Sequence, residues 1–262
     1  MHEPLNILYV DIGNSCADCL FYQNGQEQFF KVRKEELSSL DFLLLKKSKD
    51  RLQNAFLSSV NHSSLQEVKK ALLSYNPDMK ISLLNQEAMR EACNRFSLEV
   101  ENIDILGGDL FADLVSRENH KGQIIIDLGT ASKVLYLDAN NKFHGSMIFP
   151  GLSSFAKMLN MSTDLLSEYP LLTHPPLLSL KTEECISSGV IHGTIELLSG
   201  TVAQIKEKYQ NPDCEVILTG GNAKLIMEVL REKPSFEYVY DERHVIHGLV
   251  RIHEKVELEV NI

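Results

Sequence analysis

Two short segments of this 262-residue chain combine acidic, glycine and hydrogen-bonding residues in one pattern. Asp11-Ile12-Gly13-Asn14-Ser15 follows an apolar run, and Asp127-Leu128-Gly129-Thr130 follows another 116 positions later. A glycine in such a turn lets the backbone approach a ligand closely, because no Cβ stands in the way. Successive N–H groups there can cradle phosphate oxygens. Asn14, Ser15 and Thr130 add side-chain donors. The aspartates would repel phosphate directly, so they are expected to act through a cation or water, as in Mg2+-assisted sites. A third turn, Thr219-Gly220-Gly221-Asn222, suits a nucleoside or a phosphate at a helix N-terminus. A single Asp-x-Gly after a strand is ordinarily a turn and nothing more. Two in matching contexts, with a Gly-Gly turn behind a late strand, point to a nucleoside triphosphate held between two halves.

Asp109 follows Gly107-Gly108 at an expected helix start. The glycines leave room for a substrate, and the carboxylate could accept a hydroxyl proton. Phosphoryl transfer depends chiefly on positioning and charge stabilisation, so a weak base suffices. An Asp at this place is equally suited to capping the helix.

The elements that must position these residues fall into a repeated pattern. Strands are expected over residues 5–10, 16–22 and 29–32, with a tight turn at Asn24-Gly25. A helix over 37–47, a strand over 55–60, a helix opened by the capping box Ser64-x-x-Glu67, and a short strand over 81–84 follow. Helices are expected over 86–95 and 109–118. The pattern then restarts with strands over 123–126, 133–137 and 143–149. A helical stretch opens at Pro150-Gly151. One long helix or two abutting ones over 182–209, with Gly189, Gly193 and Gly200 as weak points, a strand over 215–218 and a helix over 223–232 complete it. This repeat implies two similar α/β halves, divided near His120-Lys121-Gly122 into domains 1–120 and 121–262.

Composition narrows the function. Lys and Arg number 26 against 36 Asp and Glu, a formal charge of −10. Nonspecific nucleic-acid binding needs clustered cations, so neither nucleic acid nor an anionic membrane is expected as partner. No apolar run is long enough to span a bilayer. Met1-His2-Glu3-Pro4 does not open a signal peptide. Five scattered cysteines suggest a reducing, cytoplasmic setting. Cys16-x-x-Cys19 lies in a strand, with its two side chains on opposite faces, so no redox pair or zinc site is expected. His244 and His247 read as surface or turn histidines, Phe42 to Leu45 as core, and Gly189-x-x-x-Gly193 as a close helix contact, within the chain or across a dimer interface.

Taken in order, Asp11 to Ser15, Leu106-Gly107-Gly108-Asp109, Asp127 to Ala131, Gly145 to Gly151, Thr182 to Gly189 and Thr219-Gly220-Gly221 resemble the superfamily of acetate and sugar kinases, heat-shock chaperone ATPases and actin. Within it they resemble type III pantothenate kinase. The resemblance implies two RNase H-like (actin-like ATPase) α/β domains of mixed sheet plus helices, with a cleft between them. It implies ATP-dependent phosphorylation of pantothenate to 4'-phosphopantothenate, the first step towards coenzyme A, by a homodimer. Mg2+ would accompany ATP, and a monovalent cation (K+ or NH4+) would sit at Asp127. Asp11, Ile12, Gly13, Asn14, Ser15, Cys16, Ala17 and Asp18 would line ATP, together with Thr130, Gly220 and Gly221. Asp109 would be the general base. Gly107, Gly108, Asp109, Leu110, Val100 and Thr182 would face pantothenate. The chain departs from the pattern at Leu110 (an Arg in the family), Val100 (a Tyr), Lys133 (a Thr) and Ser146 (a Gly). A catalytically silent or re-purposed relative that binds nucleotide or a partner, or a superfamily kinase for another small hydroxylated substrate, are the alternative readings.

Overall fold

The computed structural model describes residues 6–49, 51–161 and 170–256. The opening Met1-His2-Glu3-Pro4, the expected strand start at Leu5 and the end of the expected second domain at 257–262 lie outside them. The chain forms two compact units: Met1–Glu118 with Arg243–Ile262, and Asn119–Glu242.

In the first unit β1 (Ile7–Ile12), β2 (Cys16–Gln23) and β3 (Gln26–Arg33) form the expected antiparallel meander. Asn24 and Gly25 join β2 to β3 with φ of 52° and 71°, the left-handed pair that a two-residue hairpin requires. β4 (Asn54–Ser59) runs parallel to β1, and β5 (Lys80–Leu83) parallel to β4, so the strand order is β3-β2-β1-β4-β5. α1 (Leu40–Lys47) and α2 (His62–Tyr75) pack on this sheet, and α3 (Gln86–Phe96) and α4 (Gly108–Val115) follow. Leu8, Val10, Phe21, Leu57, Val68 and Leu72 meet in one core.

Two local expectations are corrected here. The cap of α2 is Asn61, whose side chain accepts the Ser64 N–H at 3.0 Å; Ser64 lies inside the helix and is buried. In α1 the buried residues are Leu40 and Leu44, four apart. Phe42 and Leu45 point away from the core and are 65% and 64% exposed, because an apolar run longer than a helical stripe cannot all face inward.

The second unit repeats the plan. β6 (Gln123–Leu128), β7 (Ala131–Leu137) and β8 (Phe143–Pro150) form an antiparallel meander, and β9 (Glu215–Thr219) and β10 (Val239–Tyr240) add on in parallel, in the order β10-β9-β6-β7-β8. Every residue of β6 is buried, as its unbroken Ile run implies for a strand covered on both faces. α5 (Leu152–Met161), α6 (Thr182–Lys208) and α7 (Ala223–Glu232) complete the unit. α6 runs unbroken through Gly189, Gly193 and Gly200. Apart from the helix's own backbone and chain neighbours, nothing among the described residues lies within 4 Å of a Cβ placed at any of the three, so they make no close contact with another described helix.

The chain returns to the first unit at its end. α8 (His244–Lys255) is a helix where the sequence reading had surface histidines. His244 is fully buried. Its Nε2 lies 3.1 Å from the Asp113 carbonyl, and the Ser116 hydroxyl donates to the His244 carbonyl at 2.6 Å. Gly248 rests on the backbone of Ala112 so closely that any Cβ would overlap it. Thus the division near 120 falls at 118/119, while α8 packs with the first unit rather than the second.

Candidate functional site

In the first unit, Asp11 sits one residue from the end of β1. Its antiparallel partner is Asp18 and its parallel partner is Ser58. Directly opposed residues share a face, and Asp18 in turn opposes Lys31. Lys31 Nζ lies 2.8 Å from Asp18 Oδ2. The row Lys31, Asp18, Asp11, Ser58 therefore crosses four strands at the end of the sheet where β1 and β4 finish. Open α/β sheets bind ligands at the carboxyl ends of their parallel strands.

The turn after β1 is fixed by backbone bonds. Gly13 N–H donates to the Cys16 carbonyl at 2.9 Å, and Val60 N–H to the Ile12 carbonyl at 3.2 Å. Asn61 Nδ2 reaches Asn14 Oδ1 at 3.4 Å. Ile12 and Ala17 are fully buried in the core, so these two of the eight expected ATP-lining residues offer a ligand their backbone alone. Asn14 and Ser15 are exposed. Burial, and then the Asp18 charge, pushes the thiols of Cys16 and Cys19 up. Both stay protonated, as befits structural cysteines.

Asp109 is the second residue of α4; the N-cap is Gly107. Asp109 therefore does not serve as the cap. Its Oδ1 folds back over Gly107, where a Cβ would stand 2.6 Å from it. A Cβ on Gly108 would stand 3.1 Å from Ser58 Oγ and 3.3 Å from Leu84 Cδ2. Ser58 thus links the two acidic residues: it opposes Asp11 in the sheet and touches the helix start that carries Asp109. Its buried hydroxyl has no hydrogen-bond partner among the described residues. The sequence reading missed Ser58, since a lone serine in a strand carries no signal. Leu110 and Val100 are half-buried.

In the second unit, Asp127 has Lys133 as antiparallel partner on β7 and Thr219 as parallel partner on β9. Lys133 Nζ lies 2.9 Å from Asp127 Oδ2, with the side chains 14% and 9% exposed. Three segments meet at the turn after β6. The Leu128 and Gly129 carbonyls accept the Asn222 backbone N–H and Nδ2, each at 2.8 Å. The Thr130 carbonyl accepts Gly151 N–H at 3.1 Å and Ser154 Oγ at 2.8 Å. Gly220 has φ of +91°, and a Cβ there would lie 2.5 Å from Asp127 Oδ1 and from the Leu128 backbone. The turns holding Asp127, Thr130 and Gly220-Gly221 are thereby brought together, with Thr130 and Gly221 exposed. Asn222 and Gly151, not assigned a role from sequence, hold the turn in place. Thr182 is exposed at the first position of α6. None of these contacts reaches Thr182 or Val100.

The two turns differ in charge. Asp11 faces an acid, Asp18, across the ladder, whereas Asp127 faces a cation, Lys133. Among the described residues no group of three or more His, Cys, Asp or Glu could hold a metal ion. A K+ placed at Asp127 Oδ2 would sit against the Lys133 ammonium. Two like charges about 4 Å apart repel by roughly 4 kcal/mol at an effective dielectric of about 20. The donors present do not fit a bound monovalent cation at that oxygen.

A sequence profile for type III pantothenate kinase matches residues 7–204. A type III pantothenate kinase of Acholeplasma laidlawii is 35% identical over 158 residues, covering 60% of this chain and 62% of that one. One of a Sulfurihydrogenibium species is 28% identical over 265 residues, covering 93% and 97%. Among solved structures, an archaeal actin homolog superposes with a TM-score of 0.51 at 11% identity, covering 95% of this chain and 99% of that one, which supports the actin-like fold of each unit. With the profile spanning most of its length, this chain belongs to the type III pantothenate kinase family, a family of phosphotransferases.

Proposed function

We propose that the chain transfers the γ-phosphoryl group of ATP to the hydroxyl of pantothenate, giving 4'-phosphopantothenate and ADP. The observation that carries this reading is the placing of Asp109 in the first turn of α4, uncrowded by Gly107 and Gly108, beside Ser58, the strand partner of Asp11. Family membership supplies the substrate class.

In this reaction the Asp109 carboxylate accepts the hydroxyl proton. The freed oxygen forms a bond to the γ-phosphorus, and the bond from that phosphorus to the β,γ-bridging oxygen breaks, releasing ADP. Bound with ATP, Mg2+ would screen the phosphate charge, and Asp11 and Asp18 are the residues that would hold it, directly or through water. Gly13, Asn14, Ser15, Thr130, Gly220 and Gly221 are assigned to the nucleotide. Gly107, Gly108, Leu110, Val100 and Thr182 are assigned to pantothenate. Leu110 cannot pair with the substrate carboxylate as an arginine would. No step is written through a monovalent cation, since the donors at Asp127 do not fit one. A homodimer in the cytoplasm completes the reading; exposed Ile148, Phe155 and Met158 on β8 and α5 are in keeping with a subunit contact.

The test is mass-spectrometric detection of product from purified chain, MgATP and a panel of hydroxylated acids and sugars. Phosphopantothenate formed one-for-one with ADP is the expected result. Product from another acceptor and none from pantothenate would make the chain a kinase of different substrate. Nucleotide binding with no product from any acceptor would make it a silent relative.

A further inference from the structure

We propose that the Lys133 ammonium is a built-in replacement for a monovalent cation at Asp127, so that nucleotide binding and phosphoryl transfer proceed without added K+ or NH4+. The activity half of this rests on the kinase reading above; the binding half does not.

The geometry is specific. Lys133 is the residue directly across the antiparallel ladder from Asp127, so both side chains leave the sheet on one face. The contact is 2.9 Å, and the pair is largely withdrawn from water. A buried carboxylate needs a partner of opposite charge, and here that partner is covalently attached. Its local concentration does not depend on the medium. The carboxylate lies under the turn that Thr130 and Gly220 build, since a Cβ on Gly220 would stand 2.5 Å from Asp127 Oδ1. Whatever neutralises Asp127 therefore neutralises a charge facing the polyphosphate. An unbalanced carboxylate there would repel the nucleotide. Lys133 removes that repulsion permanently, whereas a diffusible ion would remove it according to its concentration.

The first unit gives an internal contrast. At the matching strand position it has Asp18, an acid, opposite Asp11. That turn sets two carboxylates across the ladder from one another, a pair that could face a divalent ion arriving with ATP. The second turn is neutral by construction and can face phosphate oxygens.

The experiment compares wild type, Lys133→Arg and Lys133→Thr in a buffer whose sole monovalent cation is tetramethylammonium, with K+ then titrated in. Three quantities are read: the rate of phosphopantothenate formation, the affinity for a fluorescent ATP analogue with Mg2+, and the midpoint of thermal unfolding. The expected result is that K+ alters none of these in wild type or Lys133→Arg beyond what the same ionic strength of Na+ does. In Lys133→Thr, K+ tightens nucleotide binding by about tenfold or more, and nucleotide tightens K+ binding by the same factor. Wild-type nucleotide affinity that rises about tenfold with K+ and not with Na+ would overturn the proposal. If no acceptor is phosphorylated, the kinase reading fails, yet the affinity and unfolding readouts still decide the role of Lys133. If Lys133→Thr does not fold, the wild-type titration decides alone.

Discussion

Lys133 Nζ stands 2.9 Å from Asp127 Oδ2, while the corresponding strand position of the first unit places Asp18 opposite Asp11. One duplicated strand order thus carries two aspartates that face unlike partners across the ladder. Breaking a buried pair from one side leaves an uncompensated charge and costs about 3–5 kcal/mol. Lys133→Ala is expected to lose stability on that scale in urea unfolding. Lys133→Ala combined with Asp127→Ala is expected to lose less than the sum of the single changes. Additive losses would mean that the two groups do not interact.

Gly248 and Gly193 both lie within helices but in opposite circumstances. Gly248→Ala drives a methyl into the Ala112 backbone and should destabilise by about 1–3 kcal/mol or more. Gly193→Ala meets nothing within 4 Å and should stabilise by roughly 0.5–1 kcal/mol through helix propensity. Thermal unfolding of the two variants checks the opposite signs.

Asn222 ties the turn after β6 to the start of α7. Its Nδ2 reaches the Gly129 carbonyl at 2.8 Å, and its Oδ1 accepts Ser153 Oγ at 3.2 Å. Asn222→Ala should cost about 1–2 kcal/mol of stability and, by loosening the turn, raise KM for ATP about tenfold. KM for pantothenate should move little. Equal changes in both constants would argue against a role confined to the nucleotide turn.

His253 packs its ring against Tyr9 and Phe56, with centroids 5.6 and 5.5 Å away, and its Nδ1 lies 3.2 Å from the Tyr9 hydroxyl. Burial pushes the imidazole below its ordinary value of 6.5. The unfolded chain then takes up a proton at higher pH than the folded one. Stability from this group is present above 6.5 and is lost as pH falls below it through the folded value. His253→Phe should flatten the part of the decline of stability below about pH 6.5 that this ring causes, the other eight histidines being common to both proteins. An unchanged slope over that window would contradict the assignment.

The strand triplets and the duplicated Asp-x-Gly turns were legible because they are local. β1 to β3 and β6 to β8 alternate or run apolar over a few residues and close on recognisable turn residues such as Asn24-Gly25. Asp127, Thr130 and Gly220 could be linked in advance because each ends or follows a strand, and parallel strands finish at one edge. What the sequence concealed is non-local. α8 has apolar residues at Ile246, Leu249, Val250 and Ile252, yet nothing in that stripe states that it packs on α4, more than 120 residues earlier. Its opening histidines drew attention to surface chemistry instead. Ser58 and Asn222 acquire their places from strand pairing and from a carbonyl of another segment. Lys133 was visible as a departure from the family pattern, but its partner emerged only with the β6–β7 register.

The central claim is that Asp109 takes the proton during phosphoryl transfer to pantothenate. Its most direct test is single-turnover formation of phosphopantothenate by wild type and Asp109→Asn, each saturated with MgATP. The account predicts a fall of about 10²–10⁴-fold in the variant, with the unfolding midpoint and nucleotide affinity retained. An Asp109→Asn enzyme that turns over at the wild-type rate would contradict it.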